Sequence, residues 1–543
     1  MDTLSPHLSP ATMPRVRIAW LPLLGVLVAA CSAEPDGAAR PRLMPRLLIV
    51  GWDGATFDLV DPLRKAGRLP HVAALEARGT SAVLESTIIP ISSAAWVASV
   101  TGKGPGETGV YSFFEPVEDS YDVRLVSSLS NQAPPIWRIL ARHGLRSHVF
   151  GVPLTFPPEP GLGTMVAGML SPLDGAYASP PERTDELRER GFVPDLGIWR
   201  ELQVPSQEFI NTQLDLKQDL VTELLTQDDW DFAMVVFKSL DLLSHRAYDG
   251  RTDTQVAELV VRLDSILGAM VEAAGPNTHV ILMSDHGFAT FSRQFNIHSW
   301  LLDAGFAQAA EGAELPPRSS GPLVESRPVE HSRRMAQLDL ASSVAIAQAC
   351  EGSFGSVRLN LRGREPEGCV APEDKDELLA RIEAELRAIQ VGDVPLVTEV
   401  WRGPDLYPGP HSHVIPDLMF EVLGDIQVVA SDVQPTFATH AQPIPDHALD
   451  GILVAAGPRI RKSDKRGRAA ITDITPTALH LLGLPVHREM TGVVQGAWIE
   501  GTTPVREVAE PAEVRVRPAA GSAFSAEQIE QLRARLRQLG YTD

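Results

Sequence analysis

The segments DFAMVVFKSLDLLSH, residues 231–245, and THVILMSDHGF, residues 278–288, share one construction. In each, a run of apolar and β-branched residues ends in an aspartate and a histidine: Asp241 and His245 in the first, Asp285 and His286 in the second. An apolar run without alternation is what a strand covered on both faces requires, and such strands belong to parallel sheets. A third run of this kind, RLLIVGWDG at 46–54, ends in Gly-x-Asp-Gly, where the backbone must turn, and carries Asp53. Open α/β sheets bind ligands outside the carboxyl ends of their strands. Asp53, Asp241, His245, Asp285 and His286 are therefore expected at one sheet edge, where His447 completes them into two metal sites.

The flanking sequence supports the same architecture. Strand-like and helix-like runs alternate through SAVLEST (81–87), AAWVASVTG (94–102), IWRILARHG (136–144) and LRSHVFGV (145–152). That alternation predicts an α/β fold with a doubly wound, mostly parallel sheet. Apolar residues at three and four spacings predict amphipathic helices over 207–230 and 254–275, the second stopped by Gly275. Residues from about 297 to 440 are less regular and richer in Pro, Gly and charge, and read as an inserted cap over the site. Strands resume at DGILVAAGP (450–458), followed by a helix over ITPTALHLLG (474–483). The catalytic domain is thus expected over 45–505, with 506–543 forming a linker and a charged amphipathic helix, SAEQIEQLRARLRQLGY (525–541). Gly-rich GLGTMVAG (161–168) has no following helix signal and reads as a turn rather than a phosphate loop.

The chain has 543 residues with 48 Lys plus Arg against 69 Asp plus Glu, a formal charge of -21. Such a balance argues against a nucleic acid polymer as partner. An anionic substrate would have to be drawn in locally, and bound divalent cations do that. At the amino end, Arg15 and Arg17 precede an apolar stretch, Ile18 to Ala30, too short to span a bilayer. LVAAC, ending at Cys31, resembles the bacterial lipoprotein cleavage box, with 1–31 as signal peptide and 32–44 as tether. Met13 is a second candidate start, and an ordinary secretory signal cut after Ala30 is the alternative. Either way the protein is expected to be exported; the lipobox would anchor it by lipid at Cys31, facing the periplasm. There Cys350 and Cys369 could pair, or stay as two buried thiols.

Aspartate and imidazole together suit zinc, with manganese or iron as alternatives according to supply. Two such ions about 3.5–4 Å apart can hold the attacking and leaving oxygens of an in-line displacement at phosphorus. Asp-x-x-x-His puts both side chains on one face of a helical turn. Adjacent Asp285 and His286 can both ligate only if the strand ends and the backbone turns, which Gly287 would permit. The nucleophile is expected in TIIPISSAAWVASVTGKGPGETGVYSF (87–113), where Ser92 or Ser93 opens a helix. A helix amino terminus favours an anion, and metal coordination lowers a hydroxyl pKa; the bland alternative is that both serines only cap the helix.

These residues carry a resemblance. GWDGATFDLV (51–60), PISSAAWVASVTGKGPGETGVYSF (90–113), GVPLTFPPEP (151–160), KSLDLLSHRAYD (238–249), MSDHGF (283–288), NIHSWLLDAGF (296–306), LNLRGREPEG (359–368), DLYPGPHSHVIPDL (405–418), HALDGILVAAGP (447–458) and DITPTALHLLGLPV (473–486) resemble, in order, motifs of the alkaline phosphatase superfamily. The similarity is to its type I phosphodiesterase/nucleotide pyrophosphatase branch, in particular to microbial alkaline phosphatase family proteins, from Leu47 to Tyr541. It implies one metal held by Asp241, His245 and His447, and a second held by Asp53, Asp285 and His286 with the Ser92 oxygen. Ser92 lies ten residues before Gly102, where the family keeps its nucleophile, usually threonine. The implied activity is two-step hydrolysis of a phosphodiester through a phosphoseryl intermediate on Ser92, with Ser93 as fallback. A phosphomonoesterase or phosphonate hydrolase is the alternative within the superfamily, and a non-catalytic surface lipoprotein is the alternative outside it.

The sequence also departs from the family. Where nucleotide pyrophosphatases offer an asparagine to a non-bridging phosphate oxygen, the aligned residue is Phe113, which weakens the case for nucleotide substrates. SSAAW lacks the x-Pro-x-Arg that sulfatases need after their nucleophile. Lys103 could supply compensating charge or be a solvated turn residue. His411 and His413 could touch substrate, but read, with His298, His440, His480 and His487, as loop histidines. Trp52 reads as a core aromatic beneath the sheet end.

Overall fold

Two-sided burial is visible strand by strand. A computed structural model describes residues 45–161, 163–195, 206–227, 229–313, 331–431, 435–501, 504–511 and 523–538, so the signal peptide, lipobox and tether lie outside the described residues. The central sheet has nine strands: β1 Arg46–Trp52, β2 Thr80–Glu85, β3 Ser147–Phe150, β4 Met165–Val166, β5 Ala178–Ser179, β6 Phe232–Phe237, β7 Thr278–Met283, β8 Asp450–Ala456 and β9 Gly467–Ala470. Their spatial order is β9-β2-β8-β7-β1-β6-β3-β4-β5. The middle of the sheet, β7-β1-β6-β3-β4, is parallel throughout. Antiparallel pairing enters at β8, which runs against both β2 and β7, and at β5. The fold is the expected α/β, mostly parallel sheet.

Alternate residues of each central strand feed opposite cores. Leu48, Val50, Val235, Phe237, Val280 and Leu282 enter one core, with helices α2 (Gln207–Thr226) and α4 (Gln255–Ala274) laid over it. Leu47, Ile49, Met234, Val236, Ile281 and Met283 enter the other, with the helices Ile136–Arg142 and Ile474–Leu481. This explains the absence of alternation in the sequence: with apolar cover on both sides, no face needs polar residues. Helix α1 (Ser92–Thr101) has all ten residues buried and contributes to both cores. Helix α3 (Ser239–Ala247) follows β6 directly.

The segment between residues 297 and 436 contains its own antiparallel sheet, ordered Ala345–Ala347, Phe354–Leu359, Leu418–Val422, Val397–Arg402. Its core is separate, built on Phe295, Trp300, Ile382, Leu386 and Phe420. Two long strands, Gly287–Asn296 and Phe437–Ala448, lead out to it and back, paired antiparallel with Phe288 opposite His447. Cys350 and Cys369 pack against this core as free thiols, each facing a backbone carbonyl.

The segment read as a linker contributes structure of its own. Glu507–Val508 pairs in parallel with Val486–His487. Helix α5 (Ala526–Gln538) docks on the main core through Leu532 and Leu536, while Phe524 just before it stacks on Phe156 at 5.6 Å. Among the described residues no helix is long and apolar enough to cross a membrane. Because Leu536 is fully buried, Leu536→Ala is expected to destabilise the protein by about 2–5 kcal/mol through lost transfer energy and a residual cavity. Urea unfolding checks this, and a change under about 1 kcal/mol would mean that the helix is not docked in solution.

Candidate active site

Three neighbouring parallel strands bring their carboxyl ends together, with Trp52 in register with Phe237 and Gly51 with Met283. Each then delivers ligand-type side chains to the same edge. After β1 comes Asp53, whose Oδ2 accepts a hydrogen bond from Trp96 Nε1 of α1 at 2.9 Å. The chain turns at once through Gly54, at φ +74, a left-handed conformation that glycine adopts without penalty. That turn aims the Gly54 N–H at Asp285 Oδ1, 3.2 Å away.

After β6, α3 begins so soon that Asp241 and His245 lie one helical turn apart. His245 Nε2 is 3.3 Å from Asp241 Oδ1. His447, arriving on the antiparallel strand, places Nε2 3.2 Å from the same oxygen and 3.0 Å from His245 Nε2. Its other nitrogen, Nδ1, is 2.8 Å from Pro90 O. Donating there leaves Nε2 as a lone-pair donor facing Asp241 and His245, the arrangement metal-binding histidines adopt.

After β7, Ser284 stitches the bend by donating to Ala55 O and accepting from Ile452 N, both at 2.8 Å. Asp285 and His286 follow. His286 Nδ1 is 3.0 Å from Gly287 O, so Nε2 points inward, 3.3 Å from Asp285 Oδ2 and 3.7 Å from Asp53 Oδ1. The bend does occur here, but Gly287 is not its hinge. Gly287 has no positive φ and opens the next strand. A Cβ there would lie 2.3 Å from Asp450 O, so glycine is needed for close backbone approach rather than for turning.

Five of the six side chains form two groups that share His286, and the sixth, His245, stands beside Asp241 and His447. Asp53, Asp285 and His286 have ligand atoms within 4.8 Å of one another, and so do Asp241, His286 and His447. The rings of His286 and His447 stack at 3.5 Å. Ser92, the first residue of α1, places Oγ 3.2 Å from His286 Nε2. Ser93 is equally buried, but its Oγ has no hydrogen-bond partner among the described residues, so geometry singles out Ser92.

The site's electrostatics call for cations. Asp53 Oδ1 and Asp285 Oδ2 are buried and accept no hydrogen bond among the described residues. Two like charges within 4.8 Å of one another repel by at least roughly 3–4 kcal/mol at an effective dielectric of about 20. Burial, with Asp285 alongside, raises the Asp53 carboxyl well above the usual range. Burial pushes Asp285 up to about 7, Lys238 pulling against it and Asp241 adding to it. Burial likewise holds His286 down at about 4 and, helped by His286, His447 at about 3. Neutral imidazoles and orphaned carboxylate oxygens converging on common points are the donor set of borderline divalent cations.

Two further sequence expectations are corrected. Lys103 is neither solvated nor a substrate contact: it is buried and bonded to Glu510 Oε2 at 2.6 Å, a partner 407 residues away. His298, His440, His480 and His487 are buried, not exposed loop residues, because they sit on helices or strands of the packed structure. His411 and His413 remain at the surface, with rings 6.2 Å apart. Phe113 is fully buried in the main core, as is Trp52. The residue that sequence reasoning missed is Lys238, whose Nζ lies 2.5 Å from Asp241 Oδ2 and 3.5 Å from Asp53 Oδ1. A signal was available: a lone lysine closing an otherwise apolar strand, three residues before a ligand.

A model of the type I phosphodiesterase / nucleotide pyrophosphatase family matches residues 47–447. Among solved structures, phosphonoacetate hydrolase from Sinorhizobium meliloti 1021, in complex with phosphonoacetate, is 16% identical with a TM-score of 0.54, over 81% of this chain and 96% of that one. Human ectonucleotide pyrophosphatase / phosphodiesterase 5 is 14% identical with a TM-score of 0.51, over 84% and 100%. At such identities the likeness to both structures is one of fold. No curated protein matches the chain.

Metal loading should follow Asp53 and Asp285 rather than the histidines. Burial raises both carboxyls, and each must release the proton it holds to ligate, whereas His286 and His447 are neutral above about pH 4. Apparent zinc or manganese affinity of the chelated protein is expected to fall by at least about tenfold per pH unit below about pH 7. Calorimetry in buffers of different ionisation enthalpy would count the proton released, and an affinity flat from pH 5 to 8 would contradict the assignment.

Proposed function

The chain belongs to the type I phosphodiesterase / nucleotide pyrophosphatase family, a family of metal-dependent phosphate ester hydrolases, and on that premise we propose that it is a phosphodiesterase working through a phosphoseryl intermediate on Ser92. The observation that carries the reading is the place of Ser92 Oγ: at the start of α1, 3.2 Å from the histidine shared by both ligand groups. Asp241, His245 and His447 would hold one divalent cation, and Asp53, Asp285 and His286, with Ser92, the other. When bound, zinc or a similar ion supplies Lewis-acid charge at the attacking and departing oxygens.

The chain's own residues do the rest. Burial of all of α1 holds Ser92 in one place, and its position at the helix amino terminus favours negative charge on Oγ. In the first step the Oγ–phosphorus bond forms as the bond to the departing alcohol breaks. Ser92 gives its proton to solvent, and the alcohol leaves with one taken from solvent. In the second step a water oxygen displaces Oγ, and Ser92 recovers a proton. Each in-line step inverts phosphorus, so the product shows net retention. Phe113 offers no donor to a non-bridging oxygen, which favours a diester other than a nucleotide. The leader, with Cys31 at its lipobox, supports an enzyme exported and lipid-anchored at the cell envelope.

The soluble form from Ser32 onward, given zinc or manganese, is expected to hydrolyse an aryl phosphodiester faster than an aryl phosphomonoester and to lose activity on chelation. Ser92→Ala should lower kcat by at least about 10⁴-fold with metal content unchanged; an active variant would refute the nucleophile. In the full chain, Cys31→Ser is expected to move the protein out of the membrane fraction on cell fractionation, and continued membrane association would refute the anchor.

A further inference from the structure

Lys238 is a buried cation that the mechanism above does not use. It lies between the end of β6 and α3, with its side chain 9% exposed. Its Nζ donates to Asp241 Oδ2 at 2.5 Å and to Ser92 Oγ at 3.4 Å, and stands 3.5 Å from Asp53 Oδ1. Asp241 belongs to one ligand group and Asp53 to the other, so a single ammonium touches both groups and the nucleophile.

Charge balance gives this position a meaning. Asp53, Asp241, Asp285 and a Ser92 alkoxide carry four negative charges, which two divalent cations cancel. Lys238 then leaves the site with one positive charge, and a phosphodiester brings one negative charge. A phosphorus atom bonded to Ser92 Oγ carries its non-bridging oxygens within reach of a donor standing 3.4 Å from that oxygen. The core position of Phe113 leaves this task to another residue.

We propose that Lys238 is a substrate-binding residue that grips a non-bridging oxygen of the phosphodiester as Ser92 attacks, and that its single charge matches the site to monoanionic esters. The inference rests on the phosphodiesterase reading. A lysine serves here as a point charge, and its removal deprives the reacting phosphoryl group of one preorganised donor.

The test compares wild type with Lys238→Gln and Lys238→Met, the second keeping the volume of the aliphatic stem. Metal content by elemental analysis, thermal melting, kcat/KM on the aryl phosphodiester, and calorimetric binding of inorganic phosphate to the zinc-loaded protein are measured for each. Both variants are expected to keep wild-type metal content and melting temperature, to lose about 10²–10³-fold in kcat/KM and to bind phosphate more weakly. Ethylammonium added to Lys238→Ala should restore part of the rate. Loss of metal in either variant, or a rate and phosphate affinity within threefold of wild type, would overturn the proposal. Were the wild type inactive on both aryl esters while the variants still bound phosphate more weakly, the phosphodiesterase reading would fail and Lys238 would stand as an anion ligand.

Discussion

Three carboxylates buried at the ends of three adjacent parallel strands set the terms for everything around them. Asp53, Asp241 and Asp285 cannot all be ionised in a low-dielectric pocket unless positive charge is brought to them, and the protein supplies one lysine where three are needed. The imbalance shows in the opposed directions of their acidities. Burial works against ionisation of Asp241, but Lys238 and His245 beside it hold the carboxyl well below the usual range. Asp53 and Asp285, less well served, are pushed up. A fold that concentrates like charge in this way needs cations, and the neutral imidazoles of His286 and His447 are ready to share them.

The sheet makes such concentration affordable. Because β7, β1 and β6 are covered on both faces, polar residues are confined to their ends: Arg46, Thr278 and His279 where β1 and β7 begin, and the ligand-type side chains together where the cover ends. The remaining ligand, His447, comes from a strand 160 residues further on, set opposite Phe288 by the register of the long hairpin-like pair. The connection from that pair also reaches the start of α1: Tyr407 accepts a hydrogen bond from Ile88 N at 2.6 Å, four residues before Ser92. Helix α1 is thereby fixed from the sheet, through Trp96 on Asp53, and from the inserted segment, through Tyr407 on Ile88.

The fold and the ligands were legible because both are written in short-range pattern. Apolar runs ending in Asp and His announce strand ends, and Asp241 with His245 needs only one helical turn to be recognised. What could not be read depends on contacts between distant residues. Lys103 resembles any turn lysine until Glu510 arrives, and the burial of His298, His440, His480 and His487 is decided by what packs over them. Gly287 was assigned the wrong reason for the right residue, since backbone proximity to Asp450 leaves no local trace. Lys238 was overlooked because a strand-closing lysine is ordinarily solvated, and only the convergence of Asp53, Asp241 and Ser92 around it shows otherwise.

The pair formed by Lys103 and Glu510 ties the turn that follows α1 to a segment 407 residues later. Leaving Lys103 buried without its partner would cost about 3–5 kcal/mol. The helix that bears Ser92 is thus secured by a residue that is synthesised after Asp53, Asp241, His245, Asp285, His286 and His447, so the turn behind that helix cannot close its buried ion pair until all six of those side chains are already in the chain.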